Sequence, residues 1–136
     1  MNYFLAKTEP SAYSIQDLEK EGKTSWTGVR NPQALMAIRT MKPGDRVFIY
    51  HSTGESSVVG VAKVLTPSQP DPADPKSAFV DLEFVTQIDP AVSLKEIKTS
   101  GEFDDWSLVR QSRLSTMAVP EKFVNWMRKK YPKLKI

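Results

Sequence analysis

The run Trp26-Thr27-Gly28-Val29-Arg30-Asn31-Pro32, followed by Ala34, Leu35, Ile38 and Met41 at helical spacing, decides how this chain is read. Gly28 permits backbone angles closed to other residues, and Asn31 is a strong N-cap residue. Pro32, at the first helical position, gives up only an N–H that has no intrahelical partner. The run is therefore a loop feeding a helix N-terminus. Such a terminus presents free N–H groups and a partial positive charge, suited to an anionic group or a carbonyl oxygen, and Trp26 sets a flat apolar face beside it. This corner is the candidate binding site.

Outward from that corner the chain alternates strand and helix signals. Upstream, Tyr3 to Lys7 reads as an opening strand, closed by Glu9 and Pro10. Ser14 and Asp17 form a capping box for a short helix whose inner face is Ile15 and Leu18, and Gly22 stops it. Downstream of the helix from Pro32 to about Thr40, Lys42-Pro43-Gly44-Asp45 is a turn into a strand from Arg46 to His51. Val47, Phe48, Ile49 and Tyr50 make that strand apolar on both faces, so it is central, and Thr53-Gly54 turns it into a second strand from Ser57 to Leu65. Thr66 to Lys76, with four prolines and almost nothing apolar, reads as an exposed loop. Ala78, Val80, Leu82 and Phe84 alternate with Phe79, Asp81 and Glu83, a half-buried strand.

Ser93 and Glu96 mark a second capping box for a helix carrying Leu94 and Ile97 and ended by Gly101. A short helix covers Asp104 to Val109, Met117 to Val119 is the last strand, and Pro120 starts a helix carrying Phe123, Val124, Trp126 and Met127. Together these elements predict an α+β domain whose mostly antiparallel sheet curls toward a barrel.

Composition narrows the function classes. The 136 residues, 40% of them hydrophobic, suffice for a single domain over 1–136 with one core. A net charge of +3, from 19 Lys and Arg against 16 acids, admits nucleic acid without marking a dedicated polycation. The absence of Cys excludes disulfides, thiolate catalysis and zinc–thiolate sites, and makes the cytoplasm the default expectation. The apolar run Tyr3 to Ala6 is too short for a signal peptide or a membrane span, so the chain is expected to be soluble and to begin directly with structure. There is no P-loop, dinucleotide fingerprint or nucleophile elbow, and too few ligands surround His51 for a metal, so neither cofactor nor metal is expected. By itself His51, the only histidine, reads as a satisfied structural group.

Longer blocks of sequence carry a family likeness. Tyr3-Phe4-Leu5-Ala6-Lys7-Thr8-Glu9-Pro10 with Tyr13, Ser14, Ile15, Asp17 and Leu18, and then Trp26, Gly28, Val29, Arg30, Asn31, Gln33 and Ala34, resemble the EVE domain family. Met41-Lys42 with Gly44-Asp45, Tyr50-His51-Ser52, Val59-Gly60-Val61-Ala62, and Leu108-Val109-Arg110 with Ser112 to Ser115 continue the match in the family's order. The resemblance implies a PUA-like fold, a small β-barrel flanked by short helices, related to the YTH readers of methylated adenine. It further implies a non-catalytic module that accepts a modified base, a 5-substituted cytosine or another methylated base, from DNA or RNA. One departure stands out, because the family's usual Lys-Ser-Glu-Pro appears as Lys7-Thr8-Glu9-Pro10. Thr keeps the hydroxyl and adds a methyl group that narrows a pocket it faces.

On this resemblance the base pocket comprises Lys7, Thr8, Trp26, Gly28, Val29 and Asn31, with Tyr50, His51 and Ser52 from the central strand and Leu114 and Ser115 from the later block. Trp26 stacks on the base, an interaction worth roughly 1–3 kcal/mol, while Thr8 and Asn31 bond its edge. Arg30, Arg110 and Arg113 hold phosphate. Each role has a plainer competitor: Trp26 as core, Asn31 as a helix cap, and the basic run Arg128 to Lys135 as a solvated surface. Two other functions stay open, an enzyme acting on a nucleotide or modified base through Lys7, Glu9 and His51, and a protein-interaction adaptor using Thr66 to Lys76.

Overall fold

The computed structural model describes residues 1–136 as β1 (Tyr3–Thr8), α1 (Ile15–Glu21), β2 (Lys23–Trp26), α2 (Pro32–Thr40), β3 (Arg46–His51), β4 (Ser57–Val64), β5 (Gln69–Asp71), β6 (Asp74–Ser93), α3 (Leu94–Thr99), α4 (Ser107–Arg110), β7 (Thr116–Ala118) and α5 (Glu121–Lys130). The helix starts follow from local side chains. At α1 both halves of the capping box form: Asp17 N–H donates to Ser14 Oγ and Ser14 N–H donates to the Asp17 carboxylate. At α2 the Asn31 Oδ1 accepts from the N–H groups of Gln33 at 2.9 Å and Ala34 at 3.1 Å, with Pro32 in the first turn. The box expected at α3 is only half made. Ser93 Oγ accepts from Glu96 N–H, but the Glu96 carboxylate turns instead to the Lys130 ammonium.

The strands form one mixed sheet in the order β2-β6-β4-β3-β1-β7, with β5 added to β6. β1 and β3 run parallel and every other pairing is antiparallel. The barrel expectation is corrected here. β2 pairs only with β6 and β7 only with β1, so the sheet has two ends and stays open. Register shifts interrupt the β4–β6 ladder along the 20-residue β6, and the two edges are short strands of four and three residues, which limits the unpaired backbone they expose.

Two further readings change. Trp26 is the last residue of a strand, opposite Val80 of β6, rather than part of a loop. The Pro-rich segment is not an open loop: β5 pairs back on the start of β6. Its aspartates build the turn, Asp71 Oδ1 accepting from Ala73 N–H at 2.9 Å and Asp74 Oδ1 from Lys76 N–H at 3.0 Å.

A continuous core lies under the helices. Phe123 of α5 meets Phe48 of β3 and Phe103 edge-on, at centroid distances of 5.5 and 5.3 Å. On the α1 side, Ile15 presses directly on the β4 backbone at Gly60, where a Cβ would collide with the Ile15 side chain. For the site, the parallel pairing matters most. It sets Lys7 opposite Tyr50 and Thr8 opposite His51, bringing the Tyr3–Pro10 and Tyr50–Ser52 family blocks side by side.

Candidate functional site

The C-terminal ends of β1 and β2, the loop after β2 and the residue before β7 enclose a cavity of about 410 Å³, within the range of small-ligand pockets. Its wall is Lys7, Thr8, Tyr13, Thr24, Ser25, Trp26, Thr27, Gly28, Val29, Arg30 and Ser115. Trp26 is half-buried, one side packed on the core, and Tyr13 meets it edge-on with centroids 6.2 Å apart and planes at 78°. Burial raises the Tyr13 phenol above its ordinary value, the neighbouring Thr24 side chain works against this, and the Glu21 carboxylate that accepts from the phenol at 2.9 Å adds to it.

The loop after β2 is fixed from behind. Gly28 takes a φ of +81° with open space around its missing Cβ, so the backbone path, not crowding, calls for glycine. Val29 is 8% exposed, and its carbonyl accepts from the buried Ser77 hydroxyl of β6 at 2.6 Å. Thr8 is held twice: its hydroxyl donates to the Tyr13 carbonyl at 2.7 Å, and its own carbonyl accepts from Ser52 N–H at 3.0 Å. Lys7 ties the wall to the segment before β7. Its N–H donates to the Ser115 carbonyl and its ammonium to the Ser112 carbonyl at 2.9 Å, 5.4 Å from the centre of the Tyr50 ring. Burial lowers the Lys7 pKa below the usual amine value.

Seven of the residues expected from sequence thus share one wall: Lys7, Thr8, Trp26, Gly28, Val29, Arg30 and Ser115. The others stand outside it. Asn31 is exposed with its oxygen committed to two N–H groups of α2, so it serves as the cap. Tyr50 and Leu114 are buried in the core at 3% and 4% exposure. His51 Nε2 accepts from Ile15 N–H at 3.0 Å, and Ser52 turns both N–H and hydroxyl to the Thr8 carbonyl. These residues brace the wall rather than line it. Arg110 and Arg113 are exposed beside the Ser112 tether, and neither joins one of the ion pairs, which are Lys63–Glu83, Lys122–Asp105 and Lys130–Glu96.

Sequence reasoning missed Tyr13, Thr24, Ser25 and Thr27. Thr24 and Trp26 fall on the half-exposed face of β2 by strand alternation, a pattern readable once Gly22 is taken as the end of α1. Tyr13 sits one place before the Ser14 cap, where a large side chain at the helix entry packs back on its surroundings. No cluster of three His, Cys, Asp or Glu stands ready to hold a metal, and no helix is long and apolar enough to cross a membrane.

The open α+β fold that carries this cavity is shared with solved proteins. A protein from Rhodopseudomonas palustris superposes with a TM-score of 0.91 at 32% identity, over 100% of this chain and 97% of that one. Human THYN1, solved in complex with 5-methylcytosine-containing DNA, shares the fold with a TM-score of 0.87 at 24% identity, covering 99% of this chain and 100% of that one. The class is therefore the fold also seen in the DUF55 domain of human thymocyte nuclear protein 1. Within that class the chain belongs to the EVE domain family, whose family model matches residues 2–130. Rat thymocyte nuclear protein 1 is 31% identical over an alignment that covers 88% of this chain and 69% of the relative.

Proposed function

We propose that this chain is a non-catalytic reader of a modified base, a 5-substituted cytosine in DNA, which enters the cavity beside Trp26. The observation that carries this reading is one wall combining an aromatic face, hydroxyls and backbone groups at a loop fixed from behind, with the unpaired Arg30 guanidinium at its edge. A base lifted from its stack needs a π-face for its ring, polar groups for its edge and a cation for the adjoining phosphate. Membership in the family of a protein solved with 5-methylcytosine DNA adds support.

Against catalysis stands the state of the three groups an enzyme would use. The Lys7 ammonium is bonded to the Ser112 carbonyl, Glu9 accepts from its neighbour Ser11, and the His51 nitrogen that would act as a base is occupied by Ile15 N–H. The adaptor reading loses its motive once the Pro-rich segment is a paired hairpin.

The test is titration of matched oligonucleotides carrying one cytosine or one 5-methylcytosine, as DNA and as RNA, followed by Trp fluorescence. Tighter binding of the methylated DNA strand, lost in Trp26→Ala, supports the reading. Equal binding of both strands, or affinity unchanged by Trp26→Ala, overturns it. Tighter binding of the methylated RNA strand than of the methylated DNA strand would move the natural partner to RNA.

A further inference from the structure

We infer that the Thr8 hydroxyl makes this pocket selective for a base bearing an exocyclic amino group, because toward the cavity it can only accept a hydrogen bond. The inference rests on the base-reading function above and specifies the base edge that is read. A threonine hydroxyl has one proton and two lone pairs. At Thr8 the proton is spent on the Tyr13 carbonyl at 2.7 Å, within the wall that both residues share. No N–H or O–H of the protein donates to Thr8 Oγ1, so its lone pairs are the part of the group left for a ligand.

The geometry resists reversal. Thr8 is β-branched at the end of a paired strand, which restricts χ1, and its carbonyl is fixed by Ser52 N–H. Swinging the proton into the cavity would strip the Tyr13 carbonyl of this bond in a half-buried setting. The exocyclic NH2 of cytosine, or of adenine, meets the lone pairs as a donor. A carbonyl oxygen in the same place, the O4 of thymine or uracil, sets lone pair against lone pair. Sites built to bond one polar group discriminate strongly against an analogue that cannot supply it. The wall therefore separates 5-methylcytosine from thymine, two bases of nearly one outline that both carry a 5-methyl group and differ by amino against keto at C4 and by a proton at N3.

The experiment measures binding of three single-stranded DNA oligonucleotides of one sequence, with 5-methylcytosine, thymine or 5-methylpyrimidin-2-one at one position. The last is 5-methylcytosine without its amino group. Wild-type protein is expected to favour 5-methylcytosine over both others by roughly ten- to hundredfold. Thr8→Ser, which keeps the hydroxyl, retains that preference, and Thr8→Val, which keeps the shape, loses it while still melting cooperatively. Equal binding of 5-methylcytosine and 5-methylpyrimidin-2-one by the wild type overturns the inference without any variant, as does an undiminished preference in folded Thr8→Val. Binding of none of the three removes the base-reading function itself, whereas equal binding of all three leaves a ring-binding pocket and removes only the selectivity.

Discussion

Tyr13 meets Trp26 edge to face, 78° between planes and 6.2 Å between centroids, so two aromatic walls meet at a corner of the cavity. The two rings come from different elements, Tyr13 from the turn before α1 and Trp26 from the end of β2. Their contact fixes the indole plane against which a ring can stack. Trp26→Ala is expected to lose about 1–3 kcal/mol of oligonucleotide binding, the range for one base–aromatic stack. Tyr13→Ala is expected to lose less, about 0.5–1.5 kcal/mol, since it removes the support and not the stacking face. Tyr13→Phe keeps the edge contact and should bind nearly as wild type. Fluorescence titration of the three variants ranks them, and a Tyr13→Ala loss exceeding that of Trp26→Ala would reverse the assignment of roles.

The buried hydroxyl of Ser77, 3% exposed, donates to the Val29 carbonyl at 2.6 Å and holds the loop after β2 on the sheet. Ser77→Ala leaves that carbonyl without its partner in a dry place. The expected cost is about 1–3 kcal/mol of stability, read as a lower denaturant midpoint at unchanged m-value. Because the same loop carries Gly28 and Arg30, affinity should fall as well, through a less ordered wall.

What could be read from sequence divides along the range of the signals. α1, α2, β3 and β4 each announce themselves within a few residues: the Ser14–Asp17 box, Asn31-Pro32, and the apolar run Val47 to Tyr50 with its turn. β2 does not, since Lys23-Thr24-Ser25 is polar and becomes a strand only by pairing with Asp81, Leu82 and Glu83, far along the chain. β5 is hidden for the same reason, behind prolines that commonly mark loops. At the cavity, residues of separate family blocks come together in one wall, but the likeness does not carry the orientation of each side chain. Asn31 shows the difficulty best. One oxygen could cap the helix or bond a base, both uses suit its chemistry, and only the placement of Gln33 and Ala34 N–H commits it to the cap.

Arg30 is exposed at the cavity wall and free of carboxylate partners, the condition in which a guanidinium bonds phosphate without first breaking an internal pair. Arg30→Gln is therefore expected to weaken binding of methylated and unmethylated strands alike, and to reduce the slope of log affinity against log salt by about one. Lys133→Ala, in the exposed tail away from this wall, serves as the comparison and should leave the slope unchanged. A change in the methylated-to-unmethylated ratio for Arg30→Gln would place the guanidinium on the base instead of the backbone.

His51 links the wall to pH. Its Nε2 accepts the Ile15 N–H at 3.0 Å and so must be unprotonated, and burial lowers its pKa below the ordinary 6.5. The unfolded chain therefore takes up a proton at a higher pH than the folded one, so stability rises with pH across this interval. The contribution is complete above the unfolded value of 6.5 and is lost as pH falls from there through the lower folded value. Protonation also removes the acceptor that holds the start of α1, and with it the anchoring of Tyr13 and of the carbonyl that Thr8 bonds. Denaturant midpoints measured from pH 7.5 down to pH 5 should fall for the wild type. His51→Gln, which never gains charge, should start lower and vary less with pH. Oligonucleotide affinity should weaken over the same range in the wild type, beyond the effect of pH on the DNA alone, and a wild-type midpoint that is flat or rises on acidification would contradict the role given to this bond.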